Sequence, residues 1–175
     1  MHLSRRSSTG ALAALLAAAA LVCACANQAP DHGAHAYALL QEGRWDEAAE
    51  AAKQQLLARP ADVAAHFILG RCYLNGPNFY PGAAEGEFKI ALDLFNQNGQ
   101  KSPIGEYNDM YFELRCHLEL AKVHLRRYYQ LAGHGAPKRL LNKPRRELQK
   151  EAKAAAEIAP GSEDVQELKA IVEAL

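Results

Sequence analysis

Residues 43–60 read GRWDEAAEAAKQQLLARP, and they decide the fold. Gly43 suits the left-handed backbone that closes a helix. From Arg44 to Arg59 no glycine or proline interrupts the chain. Pro60 then stops the segment, because proline lacks the donor and clashes with the preceding turn. Asp62 follows at the right distance to cap a further helix. The stretch is therefore one helix, about 46–59, set between two others by very short turns.

The same punctuation continues in both directions. From about Asp31 the chain shows little strand signal and much helical periodicity, with Gly and Pro between the periodic segments. The pattern predicts helices near 31–42, 46–59, 63–75, 81–96, 106–131, 144–159 and 162–174. Asn75-Gly76-Pro77-Asn78 reads as a turn, and Pro81 suits the opening turn of the fourth helix. Asn142 and Ser162 are the expected N-caps of the last two. The fold class expected is all-α.

Helices in short-looped pairs suggest a repeat. Gly43, Trp45, Ala48 and Pro60 resemble the second half of a tetratricopeptide repeat, with a glycine at the turn and an aromatic two later. Alanine comes three after that, and proline twelve beyond the alanine. Leu69-Gly70 with Tyr73 resembles the opening of the next repeat, and Ala84, Phe88, Ala91 and Leu92 its second helix, with Asn96 in place of the closing proline. A third repeat is carried by Leu120-Ala121 and by Ala155-Ala156 with Pro160, separated by an insertion around 133–144. The resemblance implies an α-solenoid with repeats at about 31–62, 63–97 and 106–160 and a capping helix at 162–174. Ala48, Gly70 and Ala84 permit close helix approach, while Trp45, Tyr73 and Phe88 fill the gaps.

The N-terminus carries an address. Arg5 and Arg6 precede twelve apolar residues, 11–22, and then a small-residue zone. This is the layout of an export signal, and the run is too short to span a membrane, which takes about 20 residues. Two cleavage chemistries fit. Ala24-Cys25-Ala26 suits a small-x-small site that would release a soluble periplasmic protein. Val22-Cys23-Ala24-Cys25 resembles the lipobox of bacterial lipoproteins, which implies a signal peptide over 1–24, lipidation of Cys25 and a short tether over 25–30. The protein would then be held at a membrane facing the periplasm, the outer membrane being the expected one. Export disfavours a nucleic-acid role.

Composition bounds the chemistry. The chain has 175 residues, 49% hydrophobic, with 20 basic and 20 acidic side chains. It carries no Gly-rich phosphate loop, no Gly-x-Ser-x-Gly and no His-Glu-x-x-His. His32 and His35, and His117 and His124, are the only histidine pairs that a metal-dependent enzyme could use. The latter two lie seven apart, about 10 Å along one helix, too far to share a metal alone. The expectation is a non-catalytic protein with no cofactor and no metal. Cys72 and Cys116 fall on the first helices of adjacent repeats, where a disulfide or two small buried residues would both fit.

Tetratricopeptide arrays bind partners in a groove lined by the first helix of each repeat. Carried over residue by residue, the resemblance implies a groove of Tyr37, Phe67, Arg71, Leu74, Arg115, Leu118 and Lys122. That mixture of apolar groups and three cations suits an extended or helical peptide with acidic groups. Gly33 and Glu119 stand where one subfamily has the lysine and arginine of a carboxylate clamp, so that clamp is not expected. Separately, Lys138, Arg139, Lys143, Arg145 and Arg146 form a basic segment in the insertion and the next helix start. It reads as a solvated loop or as a contact to anionic headgroups or an acidic partner.

Overall fold

The computed structural model describes His32–Leu175 except Glu106, so the expected export signal and tether, with Cys25, lie outside the described residues. Seven helices are found there: α1 (His32–Gln41), α2 (Trp45–Ala58), α3 (Val63–Asn75), α4 (Pro81–Gln97), α5 (Asp109–Gly133), α6 (Lys138–Ile158) and α7 (Glu163–Ala174). No strand occurs among the described residues.

The local chemistry sets the ends. Gly43 has φ +73°. Arg44 N–H donates to Leu39 C=O at 3.0 Å and Gly43 N–H to Leu40 C=O at 3.2 Å, the paired bonds that close a helix on a left-handed residue. Asp62 Oδ1 accepts from Ala65 N–H at 3.0 Å, and its Oδ2 accepts from the buried Gln55 side chain at 2.8 Å. One carboxylate thus caps α3 and ties it to α2. Ser162 caps α7 through Val165 N–H at 3.2 Å.

Consecutive helices pack in sequence order. Odd-numbered helices also touch in series, α1 on α3, α3 on α5 and α5 on α7, whereas α2, α4 and α6 do not meet. Two layers result, and the chain is an all-α, solenoid-like stack of hairpins. The core divides accordingly. Ala36, Leu39 and Leu40 pack with Ala48, Ala52, Ile68 and Leu69. Phe67, Phe88, Phe95, Phe112 and Leu120 lead the central cluster. Leu114, Leu118, Leu148, Ala155 and Leu168 form the last. Helices α3 and α5 each bury two faces, one to the preceding hairpin and one to the following. On α5, Leu114, Leu118 and Ala121 form one of these; Phe112, Cys116, Leu120 and Val123 form the other.

Small residues sit where helices approach most closely. Ala48 and Ala84 are buried, and a Cβ on Gly70 would stand 2.8 Å from Phe88 Cε1. The glycine lets α4 press its phenyl ring onto the α3 backbone.

The insertion is corrected. It is not a loop followed by a helix at 144. α5 continues to Gly133, Gly135 closes it at φ +69°, and α6 begins at Lys138. Asn142 is therefore inside α6 rather than its cap, and Pro137 occupies the flanking position. Pro144 lies buried within the helix, at the cost of its bond to the Leu140 carbonyl. The reason is long-range: the α5–α6 hairpin is the most extensive packing among the described helices, and tertiary contact overrides one proline. Two arginines hold its base. Arg126 donates to Leu74 C=O and stacks 4.1 Å over the Phe79 ring, and Arg127 approaches Glu85 of α4 at 3.7 Å.

Candidate partner-binding face

Arg71, Arg115 and Lys122 meet at one buried carboxylate. Glu119 Oε1 lies 3.3 Å from Arg115 Nε, 3.4 Å from Lys122 Nζ and 3.9 Å from Arg71 Nε. α3 supplies one cation. α5 supplies the other two and the acid, at the three- and four-residue spacings that place side chains on one helix face. The Glu119 side chain is only 2% exposed, while that of Lys122 is 52% exposed. Arg115 also approaches Asp164 at the start of α7, at 3.9 Å. Three cations around one buried carboxylate leave a surplus of positive charge on this face. Arg71 Nε, Arg115 Nε and Glu119 Oε2 are buried without a hydrogen-bond partner.

An aromatic rim adjoins it. Tyr107 meets Tyr111 with ring centroids 4.9 Å apart, Tyr37 at 6.5 Å and Phe67 at 6.4 Å. Met110 and Tyr111 remain exposed. The segment before α5 is fixed by Asn108, which accepts from Tyr111 N–H at 2.7 Å, and by Asp109, which accepts from Ser102 N–H at 2.6 Å.

The structure brings together only part of the expected groove. Phe67, Leu74 and Leu118 are core residues, buried at 0%, 0% and 5% exposure, and cannot line a surface. α3 and α5 bury two faces each, and these three apolar positions fall on the buried ones. Tyr37, Arg71 and Arg115 are half-buried and Lys122 is exposed. Glu119, weighed only as a poor clamp residue, is the centre of the arrangement. Its signal in the sequence was its spacing, four after Arg115 and three before Lys122.

The other sequence features resolve differently. Cys72 and Cys116 are free buried thiols in separate clusters, Cys72 against α1 and α2 and Cys116 against α4, so the disulfide reading is corrected. Burial pushes the Cys72 thiol up to about 12 and raises that of Cys116 as well. His117 Nδ1 meets Glu151 Oε2 at 2.7 Å, whereas His124 is buried toward α4 and α6. Among the described residues no three His, Cys, Asp or Glu side chains converge on a metal-sized site. Lys138, Arg139, Lys143, Arg145 and Arg146 are all exposed, but on the first half of a helix rather than on a loop. No described helix is long and apolar enough to cross a membrane.

Comparison with known proteins adds no identity: no family model, no curated protein and no solved structure matches this chain.

Proposed function

We propose that the chain is a non-catalytic, tetratricopeptide-like scaffold or adaptor of the bacterial cell envelope. Its partner is an acidic peptide or protein segment docking across Tyr37, Arg71, Arg115 and Lys122. The observation that carries this reading is the convergence of three cations on Glu119. A second carboxylate arriving from a partner would balance the surplus charge and reach the exposed Lys122 ammonium and the half-buried guanidinium groups of Arg71 and Arg115. The layer of α1, α3 and α5 is also the layer that lines the groove in the repeats this sequence resembles. Family lipoproteins of that build take part in outer-membrane protein assembly, pilus biogenesis and secretion, which gives the expected neighbourhood.

Fluorescence anisotropy with a labelled oligoglutamate peptide tests the charge preference, with an oligolysine peptide as control. Binding of the acidic peptide should weaken by about tenfold or more in Arg71→Glu. Equal binding by that variant overturns the reading. Crosslinking in the envelope, with the same variant, then identifies the partner. Anchoring is a separate question: mass spectrometry of the native N-terminus should find acylated Cys25. An unmodified terminus at Asn27 would instead make this a soluble periplasmic binding or chaperone-like module.

A further inference from the structure

A concave site lies on another side of α5. Five residues beyond Glu119, and roughly 140° round the helix, His124 faces a cleft of about 280 Å³ between α4, α5 and α6. The His124 side chain is 2% exposed, and its Nε2 atom has no hydrogen-bond partner. A buried polar atom left unsatisfied costs about 1–3 kcal/mol unless something outside the chain satisfies it. Burial lowers the basicity of this imidazole, which keeps it neutral.

The walls say what would fit. Leu131, Leu140 and Pro144 give the cleft an apolar side, and Leu140 is half exposed to solvent. Arg127, Arg139 and Lys143 line it with three cations, against the carboxylates of Glu85 and Glu147. Glu85 is already engaged, by Lys89 Nζ at 2.6 Å and by Arg127 at 3.7 Å. Arg139 and Lys143 pair with no carboxylate among the described residues. The cleft therefore holds two uncommitted cations, Arg139 and Lys143, against one uncommitted carboxylate, Glu147, beside apolar surface, with the His124 ring in its wall.

We propose that this cleft binds a small amphipathic carboxylate. The carboxylate faces Arg139 and Lys143 beside the His124 ring, and an aliphatic or aromatic body lies on Leu131, Leu140 and Pro144. The cleft falls just below the range for drug-sized ligand pockets, about 300–1,000 Å³, which suits a short acyl or aryl acid rather than a folded partner. It also gives the extended α5–α6 hairpin a purpose, since Arg139, Leu140 and Lys143 all belong to that extension.

The test is a titration of the isotopically labelled full chain with octanoate, 1-octanol and octylamine, read by NMR. Octanoate should move the His124 Nε2 signal and the methyl signals of Leu131 and Leu140. Octylamine should not move the His124 signal, and octanol should bind more weakly than octanoate. The double variant Arg139→Ala/Lys143→Ala alters only exposed side chains, so it should keep the fold and lose affinity by about tenfold. Leu140→Trp should fill the mouth and abolish the shifts. Three outcomes overturn the proposal: equal shifts with octylamine, shifts confined to the Arg71–Lys122 face, or no shift at about 10 mM octanoate, beyond the weakest affinity that counts as a site.

Discussion

Glu151 holds His117 as Glu87 holds His66: carboxylate oxygen to Nδ1, at 2.7 and 2.6 Å. Each pair joins a first-layer helix to the second-layer helix that follows it. Each histidine lies three residues before a leucine and a small residue, Leu69-Gly70 and Leu120-Ala121. Each glutamate immediately precedes a residue of the hairpin core, Phe88 or Ala152. The two hairpins are thus one structural unit used twice, with the second drawn out at its far end.

The His66 pair makes stability depend on pH. Its basicity is raised, first by the hydrogen bond to Glu87, and His66 Nε2 also donates to Pro60 C=O at 3.0 Å. A group whose folded pKa lies above its unfolded value, about 6.5, stabilises fully below that value and loses its contribution as pH rises through the folded one. Glu87→Gln should therefore cost about 1 kcal/mol near pH 5.5 and much less near pH 8.5. Thermal melts of both proteins across that range check it, and a gap independent of pH would contradict it. His124 acts in the opposite sense, losing stability as pH falls, so the comparison needs the variant rather than wild type alone.

Gly70 and Phe88 should be coupled. A methyl group on Gly70 would sit 2.8–2.9 Å from two carbons of the ring. Overpacking of this kind costs about 1–3 kcal/mol, against about 1 kcal/mol gained from replacing glycine inside a helix. Gly70→Ala should thus be destabilising in urea unfolding. In a Phe88→Leu background the same change should turn neutral or stabilising; strict additivity of the two substitutions would show that the ring is not what excludes the methyl.

How much of this was legible can be judged at particular residues. Gly43, Pro60, Asp62 and Ser162 act through their own backbone or the next turn, and each does what its type predicts. Ala48, Gly70, Ala84 and Phe88 follow from spacing, because close packing of hairpins repeats the same demands. Asn142 and Pro144 misled, since their local preference is outweighed by a long helix–helix contact that no window of sequence contains. Phe67, Leu74 and Leu118 misled for a related reason: a helix with two buried faces cannot be told from a helix with one buried and one binding face by periodicity. The meeting of Arg71 with Glu119 joins two helices across the layer, and only the fold makes it.

The thiols should be inert. Cys72 and Cys116 are buried, in different clusters, and burial disfavours the thiolate that reacts. In protein carrying Cys23→Ser and Cys25→Ser, a thiol reagent at neutral pH should label neither in the native state and both after unfolding. Mass spectrometry after mild oxidation should show two free thiols; an intramolecular disulfide would require the α3 and α5 faces to be rotated from the positions found.

Glu119→Gln separates the two things its carboxylate does. It neutralises part of the charge of Arg71, Arg115 and Lys122, and it anchors them between α3 and α5. Removing one partner of a buried charge cluster is costly, but here the cations retain routes to water: the Arg71 and Arg115 side chains are 17% and 20% exposed, and Lys122 far more. The loss should therefore be about 1–3 kcal/mol, below the figure for a fully sealed pair. Lys122→Ala, at an exposed site, should cost less than about 1 kcal/mol. The same Glu119→Gln protein should bind an acidic peptide more tightly than wild type, because the competing carboxylate is gone, and added salt should erode that gain. Chemical denaturation and peptide anisotropy on one preparation give both numbers. Destabilisation with tighter binding supports an anion-accepting face; destabilisation with unchanged binding would make the cluster a structural staple and remove it from the partner's path.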